Sequence, residues 1–367
     1  MAFLLPALFC VCLLRGAFAA DTRAEPPSST RRGAGPRALE PDHAAWALAH
    51  GHAYAAHEER ILRERNYANT LATIAAHNAR WHAGLEEWWM GTNQFSALSL
   101  AEYSARLTAR APTAEEAVAR TRGHQAHAAP ARRAQTTLGS VNWFTVGAVT
   151  AVENQGQCGD CYAFSALGAL TGVQAIASGC ASGVCATLQD LSSQQICDCS
   201  IGTGNNNGCL GGYMDNVFIY IANQGGVCSA AAYPYADSNY VANPAPSAGP
   251  CQVPAAPATN SFCPVVAGVS SATPFVYTNP VAHNGAQTPS LANFLSYLSL
   301  GPVSVGVYAG CSAFMSYGGG IFTATCQDSA QPNSIDHAIL ATGFYSVSGV
   351  QYIQLKNQYG TGWGGTP

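Results

Sequence analysis

Charge is scarce in this chain of 367 residues: Asp, Glu, Lys and Arg together make up 10%, against roughly 25% in an average soluble protein. The net charge of −4 supplies no basic field for a polyanion, which excludes nucleic acid as a partner. No apolar run beyond the N-terminal one reaches the ~18 residues of a membrane-spanning helix. No Asn-x-Ser/Thr sequon occurs, so ordinary N-glycosylation is not indicated. Apolar residues are plentiful at 48%, enough for a sizeable core, which excludes global disorder. The length suits about two domains.

The little charge present is unevenly placed. Residues 1–138 hold fifteen of the sixteen Lys and Arg against twelve acids, a net +3, and eight of the ten histidines. Residues 139–367 hold Lys356 alone against eight acids, a net −7, with only His283 and His337. Cysteine runs the other way: two lie near the N-terminus and twelve fall between 158 and 326. Two pieces of different chemistry are joined in one chain.

Residues 3–14, FLLPALFCVCLL, have the length of a signal h-region, and small residues follow at Ala17 and Ala19. This predicts a secretory signal over 1–19 and no membrane anchor, since twelve apolar residues are too few to span a bilayer. Twelve cysteines in an exported chain then imply disulfides. Residues 43–107 carry apolar positions at helical spacing with Glu/Arg pairs between them, which predicts a helical domain. Residues 108–138, with Pro112, Pro130 and Arg120, Arg122, Arg132 and Arg133, read as an exposed, cleavable linker. Beyond 139, short apolar segments punctuated by Gly, Ser, Asn and Pro predict mixed helix and strand, and the Pro-rich stretch 236–290 predicts loop insertions.

The segment from Asn154 to Ser165, NQGQCGDCYAFS, runs from a loop into an apolar helix. Asp160 is placed to cap that helix, with Cys161 in its first turn, where the helix dipole favours thiolate. Asp160 opposes this, because an adjacent carboxylate raises a thiol pKa. For Cys158 and Cys161 the plain alternative is that both are disulfide partners. A nucleophilic cysteine needs a base. His283 sits in a Pro/Asn-rich loop, whereas His337 directly precedes an apolar strand, the kind of rigid element that positions a catalytic side chain. Asn357 is a candidate to orient the imidazole.

At these residues the chain resembles the papain-like cysteine peptidases of cathepsin L type, and the resemblance covers almost its whole length. Ser140-Val-Asn-Trp143, the Cys158-to-Ser165 segment, Asn206-Asn-Gly-Cys209-Leu-Gly-Gly212 and Tyr233-Pro-Tyr235 follow in family order, as do Gly301-Pro-Val-Ser-Val305, Asp336-His337-Ala338 and Lys356-Asn357. Upstream, Glu59, Arg63, Tyr67, Ile74 and Asn78 fit the family's propeptide motif E-x3-R-x3-F-x2-N-x3-I-x3-N, with Tyr67 conservative and Thr70 departing. Gly91, Asn93 and Phe95 fit a second propeptide motif whose acidic position is here Ala97.

The resemblance implies an α+β, papain-like two-domain fold, a helical left domain and a β-barrel-like right domain with a cleft between, preceded by a helical prodomain. It implies an endopeptidase made as a zymogen, with Cys161 as nucleophile, His337 as proton carrier, Asn357 orienting the imidazole and Gln155 in the oxyanion hole. Gly211 and Gly212 would form the substrate lip. Tyr213, Met214, Gly306 and Ala338 would form a pocket for an apolar P2 side chain. No metal or cofactor is implied. The partners are peptide and protein substrates and the chain's own propeptide as intramolecular inhibitor; the protein would be a monomer of the secretory pathway, lysosomal, vacuolar or extracellular. Implied disulfides join Cys158 to Cys209, and Cys199 to Cys251 or Cys263; with Cys161 free, eleven cysteines remain after residue 139, an odd number, and Cys326 would be the unpaired one if the β domain ended in an open edge.

There are departures. Tyr162 replaces the usual Trp, Asp160 a small neutral residue, and Gln358-Tyr359 a Ser-Trp pair. His337 lies 176 residues after Cys161, beyond the ~130–150 of the family. Relatives continue past the position of Pro367, so the 139–367 peptidase domain is expected to be incomplete at its C-terminus. The competing readings are a catalytically silent homologue with a binding or storage role, and a thiol–disulfide oxidoreductase using Cys158-x-x-Cys161.

Overall fold

The computed structural model describes residues 9–12, 35–109, 140–179, 188–201, 206–236, 250–253, 275–276, 291–326, 335–347 and 350–365. The stretch 110–138 of the expected linker, most of the 236–290 insertions, His283, Cys180, Cys185 and Cys263 lie outside the described residues. Among the described residues the strands are β1 (Phe9–Cys12), β2 (Trp88–Met90), β3 (Ser140–Asn142), β4 (Phe275–Val276), β5 (Val303–Val307), β6 (Tyr317–Gly320), β7 (His337–Val347) and β8 (Val350–Lys356). The chain divides into two units.

The first unit takes in Met1–Pro27, Thr108–Val307 and Asn333–Gln358. At its centre is the helix Cys161–Ala177, thirteen of whose seventeen residues are buried. A helix apolar on every side is stable only inside a core, and this one packs among Trp143, Ala148, Val217, Leu298, Val303 and Leu340. Gly172 permits part of that packing: a Cβ there would stand 2.6 Å from the Pro302 ring and 2.7 Å from the Ala148 carbonyl. That close approach offsets the ~1 kcal/mol a mid-helix glycine costs. The indole of Trp143 donates to the Leu298 carbonyl at 2.7 Å, satisfying its one buried polar atom.

Antiparallel strands run in the order β3-β7-β5-β1-β4, with β8 pairing on β7. This is an open path, so the barrel-like closure implied for the β domain is not reached among the described residues. Register places Gly306 opposite Ala338 and Val307 opposite His337 across β5 and β7. On the far edge of β5, Phe9 and Cys10 pair with Val305 and Ser304. The cleavage expected near Ala19 would remove that strand and open the edge.

The second unit gathers Ser28–Leu107, Tyr308–Pro332 and Tyr359–Pro367. The helix His57–His82 carries Tyr67, Ile74 and Asn78 on its buried side, so these propeptide-motif residues act as anchors. Asn78 exchanges two bonds with the Met90 backbone, Nδ2 to its carbonyl and Oδ1 from its N–H, each 2.9 Å. Arg63 bonds Glu102 at 2.8 Å and Glu59 at 3.5 Å. Asn93 Nδ2 donates to the Met315 carbonyl at 2.8 Å, Gly91 N–H donates to the Ser316 carbonyl, and Phe95 packs edge-on against Tyr359. β2 pairs antiparallel with β6, a pairing that three apolar residues without alternation did not announce. Cys326 is bonded to Cys311, so it is not the unpaired cysteine that an open-edged β domain would leave: the two sit either side of a short helix and β6, close enough to join locally.

Trp46 and Tyr67 centre a ring cluster that includes His43, His50 and His52; the Trp46 ring lies 4.9 Å from His50 and 5.1 Å from His52. Burial lowers the His52 pKa, against a raising bond to the Gln94 carbonyl, and His50, Arg106 and Arg63 lower it further. A depressed folded-state pKa means that the unfolded chain binds the proton more readily, so stability present above the unfolded pKa is lost as pH falls through it. Hydrogen exchange of residues 43–104 in the full chain, corrected for intrinsic rates, is expected to lose protection from pH 7 to pH 5. In His52→Gln that loss should be smaller.

Candidate active site

Cys161 opens its helix, buried to 1% exposure, with Asp160 as the preceding cap residue. The Asp160 side chain makes no capping bond; its Oδ1 accepts instead from the Tyr235 hydroxyl at 3.1 Å. The expectation that Asp160 caps through its carboxylate is therefore corrected: the carboxylate turns toward the Tyr235 phenol. The loop before the helix is held by the Cys158–Cys209 disulfide and by Gly159 N–H donating to the Cys209 carbonyl at 2.9 Å. Both are consistent with a partnered Cys158 beside an unbridged Cys161, and Cys161 takes part in no disulfide. Cys199 joins Cys251.

The β7–β8 hairpin delivers the other groups. Leu340 pairs with Lys356, and continuing that register puts Asn357 on the same face as His337, diagonal to it. His337 Nε2 and Asn357 Oδ1 are 2.9 Å apart and buried. The Asn357 atom must be oxygen, because it also accepts the backbone N–H of Gln358 at 2.9 Å. Nε2 therefore carries a proton, and Nδ1 is the nitrogen left to exchange one. Ala338, next to His337, donates its backbone N–H to the Cys161 sulfur, which ties the two strands of chemistry together.

Gln155 is 4% exposed. Its Nε2 donates to the Cys158 carbonyl at 2.7 Å, which leaves the second amide hydrogen for another acceptor. Its backbone is held at both ends, by N–H donation to the Gln358 carbonyl at 2.9 Å and by acceptance from Tyr235 Oη at 2.9 Å. Lys356, the sole cation after residue 139, is engaged by Glu153 at 3.1 Å and Thr150 at 2.9 Å.

Burial pushes the Cys161 thiol up to about 12; the Ala338 N–H opposes the rise, and the Asp160 and Asp336 charges add to it. Burial also takes His337 down to about 4, against the Asn357 bond. Both groups are neutral in this state. The cause of the burial is visible within the same unit. Thr108 Oγ1 donates to the Gly159 carbonyl at 2.7 Å, Ala109 N–H donates to the Asp336 carbonyl at 3.0 Å, and a Cβ on Gly211 would collide with the Thr108 carbonyl. Gly211 thus lets a peptide backbone lie directly against it. Composition assigned Thr108 and Ala109 to the exposed linker; Ala109 is in fact 6% exposed and sits on the site.

Of the implied pocket residues, Met214 and Ala338 share the core cluster, Gly306 faces Ala338 across the ladder, and Tyr213 N–H bonds Asn206 Oδ1 at 2.8 Å. Gly212 is tight against Asn206 Oδ1 and the Tyr162 ring. Ser165, which drew no attention in the sequence, bonds Ser304 Oγ at 2.6 Å and the Ile339 carbonyl at 2.7 Å. Tyr235 was legible only as part of a motif, with no role attached. Among the described residues one set of soft ligands converges, Cys158, Cys197 and Cys209, and two of its three sulfurs are joined to each other.

Residues 139–366 match the papain family of cysteine proteases. The chain belongs to that family. Residues 43–103 match the cathepsin propeptide inhibitor domain. The chain is 30% identical over 372 residues to the senescence-specific cysteine protease SAG39 of Oryza sativa, covering 99% of this chain and 90% of that one. It is 31% identical over 322 residues to cathepsin L1 of Drosophila melanogaster, covering 87% and 76%. Among solved structures, digestive procathepsin L 3 of Tenebrio molitor larval midgut superposes with a TM-score of 0.64 at 28% identity, covering 88% of this chain and 89% of that one. The recombinant stem bromelain precursor gives 0.60 at 25%, with 88% and 87% covered. The protein is a cysteine-type endopeptidase of cathepsin L type, carrying its own inhibitory propeptide.

In this papain-family chain a thiol pKa of about 12 leaves roughly one thiolate in 10⁵ at pH 7. Iodoacetamide should therefore alkylate Cys161 slowly in the intact chain. Cutting in the linker after residue 109 and releasing the Thr108–Ala109 segment is expected to raise the rate by at least ~100-fold, the effect of a two-unit fall in pKa. Mass spectrometry of the Cys161 peptide over time reads this, and equal rates would show that the segment does not govern the thiol.

Proposed function

We propose that the protein is a secretory-pathway cysteine endopeptidase, lysosomal, vacuolar or extracellular, that works by a Cys161 thiolate with His337 and Asn357 and prefers an apolar residue at P2. The observation that carries this reading is the buried bond between His337 Nε2 and Asn357 Oδ1, on the strand whose next residue donates to the Cys161 sulfur.

His337 Nδ1 takes the thiol proton, and the sulfur attacks the scissile carbonyl carbon. The carbonyl oxygen becomes an oxyanion, met by the second hydrogen of Gln155 Nε2 and the backbone N–H of Cys161, typically the largest single catalytic contribution. His337 passes its proton to the leaving amine. Water, deprotonated by the same imidazole, then releases the acyl group and restores the thiol. Asn357 keeps the ring from turning away, the role of the third group in such triads. The substrate backbone would lie along Gly211 and Gly212, where Thr108 lies in the intact chain, and Met214 and Ala338 supply apolar surface for P2, with Tyr213 and Gly306 beside them. The N-terminal apolar run supports entry to the secretory pathway, and the chain would act as a monomer.

An epoxysuccinyl peptide added to the acid-treated proform should give one covalent adduct, on Cys161, that is lost in His337→Ala. Absence of an adduct in a folded wild type would favour a silent homologue with a binding or storage role. In the processed enzyme, Gln155→Ala should lower kcat by about 10²–10³-fold with little change in KM, as expected of a donor that acts on the oxyanion alone.

A further inference from the structure

In an average soluble chain about a quarter of residues are charged; with half of those basic, roughly 25–30 Lys and Arg would be usual in a stretch as long as 139–367. There is one, Lys356. The scarcity belongs to this stretch alone: eight acids remain in it, and the 138 residues before it hold fifteen Lys and Arg. The Pro-rich residues 236–290, read from the sequence as loop insertions of the kind that peptidases nick, contain none. A net charge of −7 does not require this emptiness, since further acids would give it equally.

The single exception is withdrawn from attack. A trypsin-type peptidase must seat the basic side chain in a pocket that ends in a carboxylate, and it needs the segment opened out of its ladder. Lys356 is paired with Leu340 on β7. Its side chain is 9% exposed, and its amine is engaged by Glu153 at 3.1 Å and Thr150 at 2.9 Å. On the other side of the bond to be cut, Asn357 and Gln358 are both buried. Cleavage at Lys356 therefore requires β8 to leave the sheet and the His337–Asn357 bond to break.

Residues 1–133 are the reverse. Arg37, Arg60, Arg65 and Arg80 are exposed, and the sequence further on carries Arg120, Arg122, Arg132 and Arg133. Ala134–Gly139 separate the last of these from Ser140, where β3 begins its pairing with β7. A cut after Arg133 thus leaves β3 and everything after it intact.

Resting on the peptidase reading above, we propose that the zymogen is opened in trans by a peptidase that cleaves after Arg or Lys, and that residues 139–367 are depleted of both so that the released catalytic domain survives its activator. In that step water adds across the Arg133–Ala134 amide: Arg133 leaves with a new carboxylate and Ala134 takes the new ammonium. The same peptidase goes on to cut at the exposed arginines upstream, so the inhibitor is destroyed as the enzyme is released. A trypsin-type hydrolysis is the class of reaction that supplies this enzyme.

The test uses the full chain carrying Cys161→Ala, which cannot process itself, treated with trypsin at neutral pH and followed by reducing gel and intact mass. The expected end product is residues 134–367, undiminished after the upstream residues have gone. In Arg132→Gln with Arg133→Gln the product should begin instead at Gly123, after Arg122. Ala258→Arg returns one basic residue to the Pro-rich stretch, and that product should break after residue 258 at least about tenfold faster than the parent breaks at Lys356. A parent chain cut at Lys356 as fast as upstream overturns the proposal, and so does an Ala258→Arg product as durable as the parent's. In wild type, once the trypsin is quenched, epoxysuccinyl labelling of Cys161 at neutral pH should be at least about tenfold above that of the untreated chain. Full labelling without trypsin would show that the chain opens itself, and it also overturns the proposal. A durable 134–367 product that takes no label upholds the cleavage step while the peptidase reading fails.

Discussion

The buried hydrogen bond between His337 and Asn357 exists because β7 and β8 are paired in one register, and much of the first unit serves to hold that register. A shift of one residue would turn His337 and Asn357 to opposite faces of the sheet. Resistance to such a shift comes from the apolar residues Ile339 and Ala341, both buried, from β5 locked on the other side of β7, and from Gln358 Nε2 donating to the Ala338 carbonyl at 2.8 Å beyond the last ladder pair. The Cys161–Ala177 helix, apolar all round, packs on this sheet, and its first residue meets the Ala338 N–H. The positions of the Cys161 thiol, the His337 imidazole and the Asn357 amide are thus consequences of one strand pairing and one helix burial.

The electrostatics of the site follow from the same burial. Lysine and arginine are nearly absent after residue 139; among the described residues the backbone N–H groups of Ala338 and Tyr162 favour a thiolate, while burial, Asp160 and Asp336 oppose it. In the dry, covered state the neutral thiol and neutral imidazole are the stable pair, and the peptide segment at Thr108–Ala109 helps to keep the site dry. The mechanism proposed above needs the charged pair, so on that reading uncovering the site is what polarises it.

Much of this was legible in the sequence. Cys161, His337, Asn357 and Gln155 stand in short local motifs, and the composition of the second half nearly chooses the histidine. Glu59, Arg63, Tyr67, Ile74 and Asn78 recur at helical spacing, and the helix they predict is there, with the last three buried. Less legible were features that depend on distant pairings. Cys199 had two possible partners and Cys326 none, because distance in space, not in sequence, decides which sulfurs meet. The β2–β6 pairing joins segments more than 200 residues apart, and Trp88–Met90 is too short to show a period. Tyr235 carries no signal of its own; it matters only because the fold sets its hydroxyl between a carboxyl and a carbonyl.

What the amino-acid order determined by itself is therefore the chemistry on offer: a thiol at a helix start, an imidazole at a strand start and an amide after the next strand. Those are local properties, written in neighbouring residues and in the hydrophobic spacing that decides helix or strand. Tertiary structure alone decided which of those groups are dry, that the Tyr235 hydroxyl stands between Gln155 and Asp160, and that Thr108 and Ala109 rest on the site. Desolvation and hydrogen-bond partnership arise from residues far apart in the chain, and no run of neighbouring residues encodes them.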